Sequence, residues 1–183
     1  MNEPQKPISQ RLLQIIRART AVNLAECFQC QKCSAGCPLA EETDLLPHAL
    51  IKKIHLGQEE DILLSKHIWL CLSCETCTTR CPNQVDLCKV IDELRRIALE
   101  QGVDVAEPDV AAFHQIVLDT LQRHGRLYEL EMIARLKLRT GEYFKDAGMG
   151  LGMIRRGKLS FVPSNVKDKK EVEALFNRER KKG

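Results

Sequence analysis

Eight of the nine cysteines fall in two runs with one spacing: Cys27, Cys30, Cys33 and Cys37 followed by Pro38, and Cys71, Cys74, Cys77 and Cys81 followed by Pro82. Both read CxxCxxCxxxCP. Cysteines this dense have three ordinary explanations: disulfides, zinc or iron–sulfur clusters. The first ten residues are polar and contain Pro4 and Pro7, without the apolar stretch of a secretory signal. The reading is therefore a cytoplasmic chain whose thiols stay reduced, where clustered cysteines are more often metal ligands than disulfides.

The same run is the signature of bacterial two-cluster ferredoxins, in which the fourth cysteine of each run ligates the other cluster. Three thiolates from one tight turn can converge on three irons of a cubane, and the fourth arrives from elsewhere. On that rule a first 4Fe-4S cluster takes Cys27, Cys30, Cys33 and Cys81, and a second takes Cys71, Cys74, Cys77 and Cys37. The alternative is that each run ligates its own cluster. Zinc is a further alternative, since four thiolates satisfy a tetrahedral ion; it would make the chain a zinc-stapled interaction module. Zinc sites usually take two ligands from each of two separated turns, so three evenly spaced cysteines and a fourth before proline, twice over, fit clusters better. Pro38 and Pro82 turn the chain away without offering an amide hydrogen, and Gly36 lets backbone pass close.

Cys88 falls on the apolar side of a predicted helix and reads as a buried, inert thiol. His48, His55, His67, His114 and His124 share no ligand-like spacing and receive no role. No phosphate loop, nucleophile elbow or carboxylate pair stands out, so no catalytic residue is assigned. The expected work is electron carriage, with no bond chemistry on this chain alone.

Around the runs, apolar residues recur at helical spacing, and aromatics make up only 4% of the 183 residues. The expected fold is mainly α. Ser9 is a candidate cap for a helix carrying Leu12, Leu13, Ile15 and Ile16 to about Val22. Between the runs, Pro47–Leu56 stops at Gly57, and Glu59–His67 reads as one short helix. Val85–Gln101 is the clearest helix, ending at Gly102. Pro108 opens a segment closed by Gly125, and Leu127–Leu138 stops at Gly141. Gly148, Gly150 and Gly152 interrupt a possible helix around Met149 and Met153, and a charged helix spans Lys169–Arg180. The Met149 and Met153 segment reads as a helix end on its own domain, with a partner-docking surface as the alternative.

The domain reading is 1–104 for the cluster-binding part and 105–183 for a helical C-terminal extension that docks a partner. No window has the roughly 20 apolar residues of a membrane span. A net charge of +3 gives no global field for nucleic acid. From Arg155 onward ten Lys/Arg face four Asp/Glu, read first as a solvated tail and second as a basic patch.

The order of an N-terminal helix, the first run with Gln29, a helical spacer, His67-Ile68-Trp69-Leu70-Cys71 with the second run, a further helix, and Phe113 to Leu130 with His124-Gly125-Arg126 resembles the C subunit of heterodisulfide reductase. The resemblance covers most of the chain. It implies an alpha-helical ferredoxin-like fold with two interlocked cluster loops, and all eight motif cysteines carry over as ligands. Related helical ferredoxin domains occur in iron–sulfur subunits of succinate dehydrogenases, fumarate reductases and anaerobic glycerol-3-phosphate dehydrogenases; this chain lacks the 2Fe-2S domain of the first of these and the paired-cysteine repeats of the heterodisulfide reductase B subunit. As the resemblance implies, the chain passes electrons from a flavin- and cluster-containing A subunit to the catalytic B subunit, which reduces the coenzyme M–coenzyme B heterodisulfide of methanogenesis. The soluble form is associated with flavin-based electron bifurcation and a hydrogenase or formate dehydrogenase. A relay subunit of another thiol- or quinone-linked dehydrogenase is the alternative.

Overall fold

Leu, Ile, Ala and Val spaced three and four residues apart give a helix one apolar stripe to bury. The computed structural model describes residues 8–141, 147–157, 163 and 165–180, and it contains helices and no strand among them. None of those helices is long and apolar enough to cross a membrane. The chain divides between Glu107 and Pro108 into two compact units.

The first unit holds α1 (Ile8–Thr20), a 3₁₀ turn (Leu24–Glu26), α2 (Lys32–Ala35), α3 (Pro47–Leu56), α4 (Glu59–Leu63), α5 (Lys66–Leu70), α6 (Thr76–Thr79) and α7 (Leu87–Gln101). Helix α7 is the hub and packs against α1, α4, α5 and α6. It buries Leu87, Val90, Ile91, Leu94, Ile97 and Ala98 among Leu12 and Ile16 of α1, Ile62 and Leu63 of α4, and Ile68 and Trp69 of α5. Each large aliphatic side chain so buried contributes about 1.5–3 kcal/mol. Glu93 is the one charged side chain of α7 in this layer. It is paired with Arg19 of α1 at 2.9 Å and with Arg96 at 3.4 Å, which offsets the cost of burying a carboxylate. Asp86 caps α7 by accepting from the Lys89 N–H, and Gly102 closes it in a left-handed turn.

The second unit holds α8 (Pro108–His124), α9 (Glu129–Thr140), α10 (Ala147–Arg155) and α11 (Lys169–Arg180). Helices α9 and α11 both pack on α8, and Arg135 of α9 pairs with Asp119 of α8 at 3.0 Å. Gly125 must be glycine: its φ is +74°, and a Cβ there would collide with Val166 Cγ2.

Three local readings change. Helix α1 starts at Ile8, so Ser9 lies inside it, and it stops at Thr20, where Ala21 turns left-handed and the Thr20 hydroxyl bonds back to Ile16 O. The helix expected over Glu59–His67 is two, α4 and α5, broken at Leu64 and Ser65. The break has a cause far along the chain: Asp44 accepts from the Ser65 hydroxyl at 2.7 Å and from the backbone N–H groups of Lys66 and His67 at 3.0 and 3.1 Å. A second helix start is thereby capped. Finally, Gly148, Gly150 and Gly152 lie inside a continuous α10; glycine costs a helix only about 1 kcal/mol per residue and does not forbid one. The Met149 side chain lies outside the described residues.

Candidate metal centre

The two cysteine runs fold alike. In each, the third and fifth residues are left-handed: Gln29 and Gln31 at φ 56° and 64°, Ser73 and Glu75 at φ 49° and 61°. A one-turn helix follows, α2 in the first run and α6 in the second, with Gln31 and Glu75 as their left-handed N-caps. Non-glycine residues give up about 1–2 kcal/mol each in this conformation, and such strain concentrates where a loop surrounds a ligand. Two left-handed residues coil the loop so that its first three sulfurs border one space while the fourth is carried off beyond the one-turn helix.

Helices α2 and α6 lie side by side, with α2 on α3 and α6 on α7. The Arg80 side chain lies over Gly36, where a Cβ would meet Arg80 Cδ at 2.7 Å; the close approach expected at Gly36 comes from this side chain. The Asn83 amide donates to the Glu26 carbonyl, tying the end of the second run to the start of the first. Each run's last cysteine is thus placed beside the other run.

Two cavities result. The first is bordered by Cys27, Cys30, Cys33, Cys77 and Cys81, with His48 among its walls. The second is bordered by Cys71, Cys74, Cys77 and Cys37, with Cys88 and His67. Leu87 walls both, and Ile51 and Val85 in the first and Leu39 and Ile91 in the second complete their apolar linings. Cys30 and Cys74, the second cysteine of each run, are exposed, whereas Cys88 is buried.

The sulfurs have polar neighbours. Gln29 Nε2 donates to Cys27 Sγ at 3.5 Å and the Val85 N–H donates to Cys81 Sγ at 3.3 Å. Thr76 Oγ1 lies 3.4 Å from Cys74 Sγ, and Cys88 Sγ lies 3.7 Å from Cys77 Sγ. Burial pushes the Cys33 and Cys71 thiols up, and burial together with Cys88 pushes Cys77 up to about 12. The Thr76 hydroxyl draws Cys74 down. Buried thiols of this kind keep their protons until a cation replaces them. Eight motif thiols lining two spaces walled by apolar side chains suit two 4Fe-4S clusters, and the chain is a two-cluster protein.

The supports around these loops were invisible in the sequence. Arg95 of α7 donates to the Ile68 carbonyl and, at 2.6 Å, to the Cys71 carbonyl, holding the second run against the hub. His48 and His67, read as unassigned, are cavity walls: Ser34 Oγ lies 2.7 Å from His48 Nδ1, and Thr43 Oγ1 lies 3.1 Å from His67 Nδ1. His55 Nε2 is 3.0 Å from the Leu24 carbonyl, just ahead of the first run. The one available signal was Thr43-Asp44 ahead of Pro47, a pattern that favours side-chain-to-backbone bonds.

The Asp44 contacts carry a prediction. Burial alone would raise this carboxyl, but bonds from the Ser65 hydroxyl and from the Lys66 and His67 N–H groups outweigh it and hold the group below its ordinary value. Its contribution is therefore fully present above about pH 4, the usual carboxyl range, and is lost as pH falls through the depressed value. Asp44→Ala should lower stability to urea at neutral pH by about 1–2 kcal/mol. The gap between parent and variant should shrink below that pH.

Residues 23–85 match the family described as the 4Fe-4S dicluster domain. The chain is 31% identical over 124 residues to the C subunit of the ferredoxin/F420H2-dependent CoB-CoM heterodisulfide reductase of Methanosarcina acetivorans, covering 68% of this chain and 72% of that one. It is 33% identical over 100 residues to the C subunit of the ferredoxin:CoB-CoM heterodisulfide reductase of the same organism, covering 55% of this chain and 40% of that one. With the iron-sulfur C 2 subunit of the CoB–CoM heterodisulfide reductase of Methanocaldococcus jannaschii it shares 36% identity over 80 residues, 44% of this chain and 42% of the relative. The chain thus spans less than half the length of these last two relatives.

Proposed function

The chain belongs to the C-subunit family of heterodisulfide reductase, a family of 4Fe-4S proteins, and from that premise we propose that it is the electron-transfer subunit of a soluble, cytoplasmic heterodisulfide reductase complex. Cys27, Cys30, Cys33 and Cys81 hold one cluster; Cys71, Cys74, Cys77 and Cys37 hold the other. The observation that supports this reading is the crossed lining of the two cavities: each takes the first three sulfurs of one run and the last sulfur of the other, with Cys77 reaching both and Cys88 joining the second. Bound, a 4Fe-4S cluster takes up and gives back single electrons at a potential set by hydrogen bonds to its sulfurs and by burial.

The chain's own residues supply those conditions. Gln29 and the Val85 N–H place donors on Cys27 and Cys81, the Thr76 hydroxyl lies 3.4 Å from Cys74 Sγ, and the buried Leu87 lies between the cavities as a wall common to both. No bond chemistry is assigned to this subunit. Electrons arrive from the flavin-containing A subunit, then leave to the catalytic B subunit, which reduces the coenzyme M–coenzyme B heterodisulfide within a larger assembly containing a hydrogenase or formate dehydrogenase. The first part of the chain, 1–104, carries the clusters, and 105–183 docks a partner.

The test is anaerobic purification with its companions, followed by iron, acid-labile sulfide and zinc determination. About eight iron and eight sulfide per chain are expected if the eight motif cysteines hold two cubanes. Electron paramagnetic resonance of the reduced protein should show two interacting centres. A flavoprotein and a disulfide-reducing subunit should accompany it. Zinc in place of iron would overturn the reading, and companions without a disulfide-reducing subunit would assign the relay to another dehydrogenase.

A further inference from the structure

Cys77 lines both cavities, and the second also holds a thiol from outside the two motifs. A 4Fe-4S cluster offers four metal corners, and Cys71, Cys74, Cys77 and Cys37 account for them. Cys88 nevertheless lines the same cavity, enters it from α7 beside Leu87 and Ile91, and is only 2% exposed. Its sulfur lies 3.7 Å from that of Cys77, which α6 holds against α7.

Two sulfurs bonded at about 2.3 Å to one tetrahedral metal stand about 3.8 Å apart, so the separation of Cys77 and Cys88 is that of two ligands to one metal. An ordinary core thiol would face aliphatic side chains; this one faces a ligand position. In the intact protein the corner is taken, and Cys88 Sγ stays in contact with the Cys77 sulfur without bonding iron.

Resting on the ligand set proposed above, we propose that Cys88 is a reserve ligand of the second cluster, placed to take the iron of Cys77 when that side chain is lost. The exchange is a substitution and not a redox step. The Cys88 S–H bond breaks and its sulfur forms the bond to iron in place of the water or hydroxide that fills the corner once the Cys77 sulfur is lost; that solvent ligand leaves with the proton, and no electron is transferred. The required movement is short, since α6 and α7 are already packed together and the two sulfurs are in contact.

The full chain is produced without oxygen as the parent, Cys88→Ala, Cys77→Ala and the double variant Cys77→Ala/Cys88→Ala. Iron and sulfide per chain are measured, and electron paramagnetic resonance is recorded on each after reduction. Parent, Cys88→Ala and Cys77→Ala should all keep about eight iron, the content of two cubanes, and two interacting centres, whereas the double variant should lose iron and the interaction. If Cys77→Ala loses as much as the double variant, the reserve role is overturned while the ligand set stands. If both keep two full centres, Cys77 is no ligand, and the proposal falls together with that part of the ligand set. Should Cys77→Ala not fold, Cys77→Ser with and without Cys88→Ala makes the same comparison in a side chain of similar size. Identical iron content and spectra in that pair would overturn the proposal.

Discussion

Cys74→Ala should abolish one of the two interacting centres and stop electron transfer through the subunit while leaving its helices in place. The side chain is exposed and lies on a loop that no helix needs, so its loss removes little packing. What it removes is one sulfur of the second cavity, whose pKa the Thr76 hydroxyl draws down. Circular dichroism should be unchanged, iron and sulfide should fall, and the interaction in the paramagnetic spectrum should vanish. Binding to partner subunits should be partly retained. The companion variant Cys37→Ala tests the crossing: it should abolish the same centre as Cys74→Ala, although Cys37 belongs to the first run. Loss of the other centre would mean that each run keeps its own cluster. Retained turnover in Cys74→Ala would contradict the assignment outright.

The largest effect on stability is expected at Leu94. It is fully buried on α7 in the layer that faces α1, α4 and α5. Truncation to alanine removes transfer energy and leaves a cavity in a close-packed site, about 2–5 kcal/mol in all. Leu99 lies further along the same helix and is 56% exposed, so Leu99→Ala should change stability by less than about 0.5 kcal/mol. Denaturant unfolding of the two variants checks the pair. Because α7 also carries Arg95, which holds the Cys71 carbonyl, Leu94→Ala should in addition speed loss of iron to a chelator, and Leu99→Ala should not. Equal midpoints for the two variants would show that α7 is not the hub.

Much of this was legible in the residues alone. The spacing of the two runs is a covalent constraint: three sulfurs from one short loop can border only a small space, and the matching of both runs implies two such spaces. Helices α3 and α7 were equally plain, since Pro47, Gly57 and Gly102 act on the backbone of their immediate neighbours, although α7 starts at Leu87 behind its Asp86 cap and not at Val85 as expected. Such signals are local, and sequence carries them directly.

Contacts made across the fold were not legible. The break between α4 and α5 depends on Asp44, whose partners begin at Ser65. The left-handed turns at Gln29, Gln31, Ser73 and Glu75 lack the glycines that would have announced them, because they follow from the way the loops wrap. Arg95 on the Cys71 carbonyl, His48 and His67 in the cavity walls, and Cys88 beside Cys77 each come from an element remote from its target. The number of motif cysteines and the expectation that the two runs cross were therefore properties of the sequence. Which cavity each of them lines, with Cys77 in both and Cys88 in the second, was decided by the packing of α2 against α6 and of α6 against α7, because distance along a chain does not determine which side chains a hydrophobic core brings face to face.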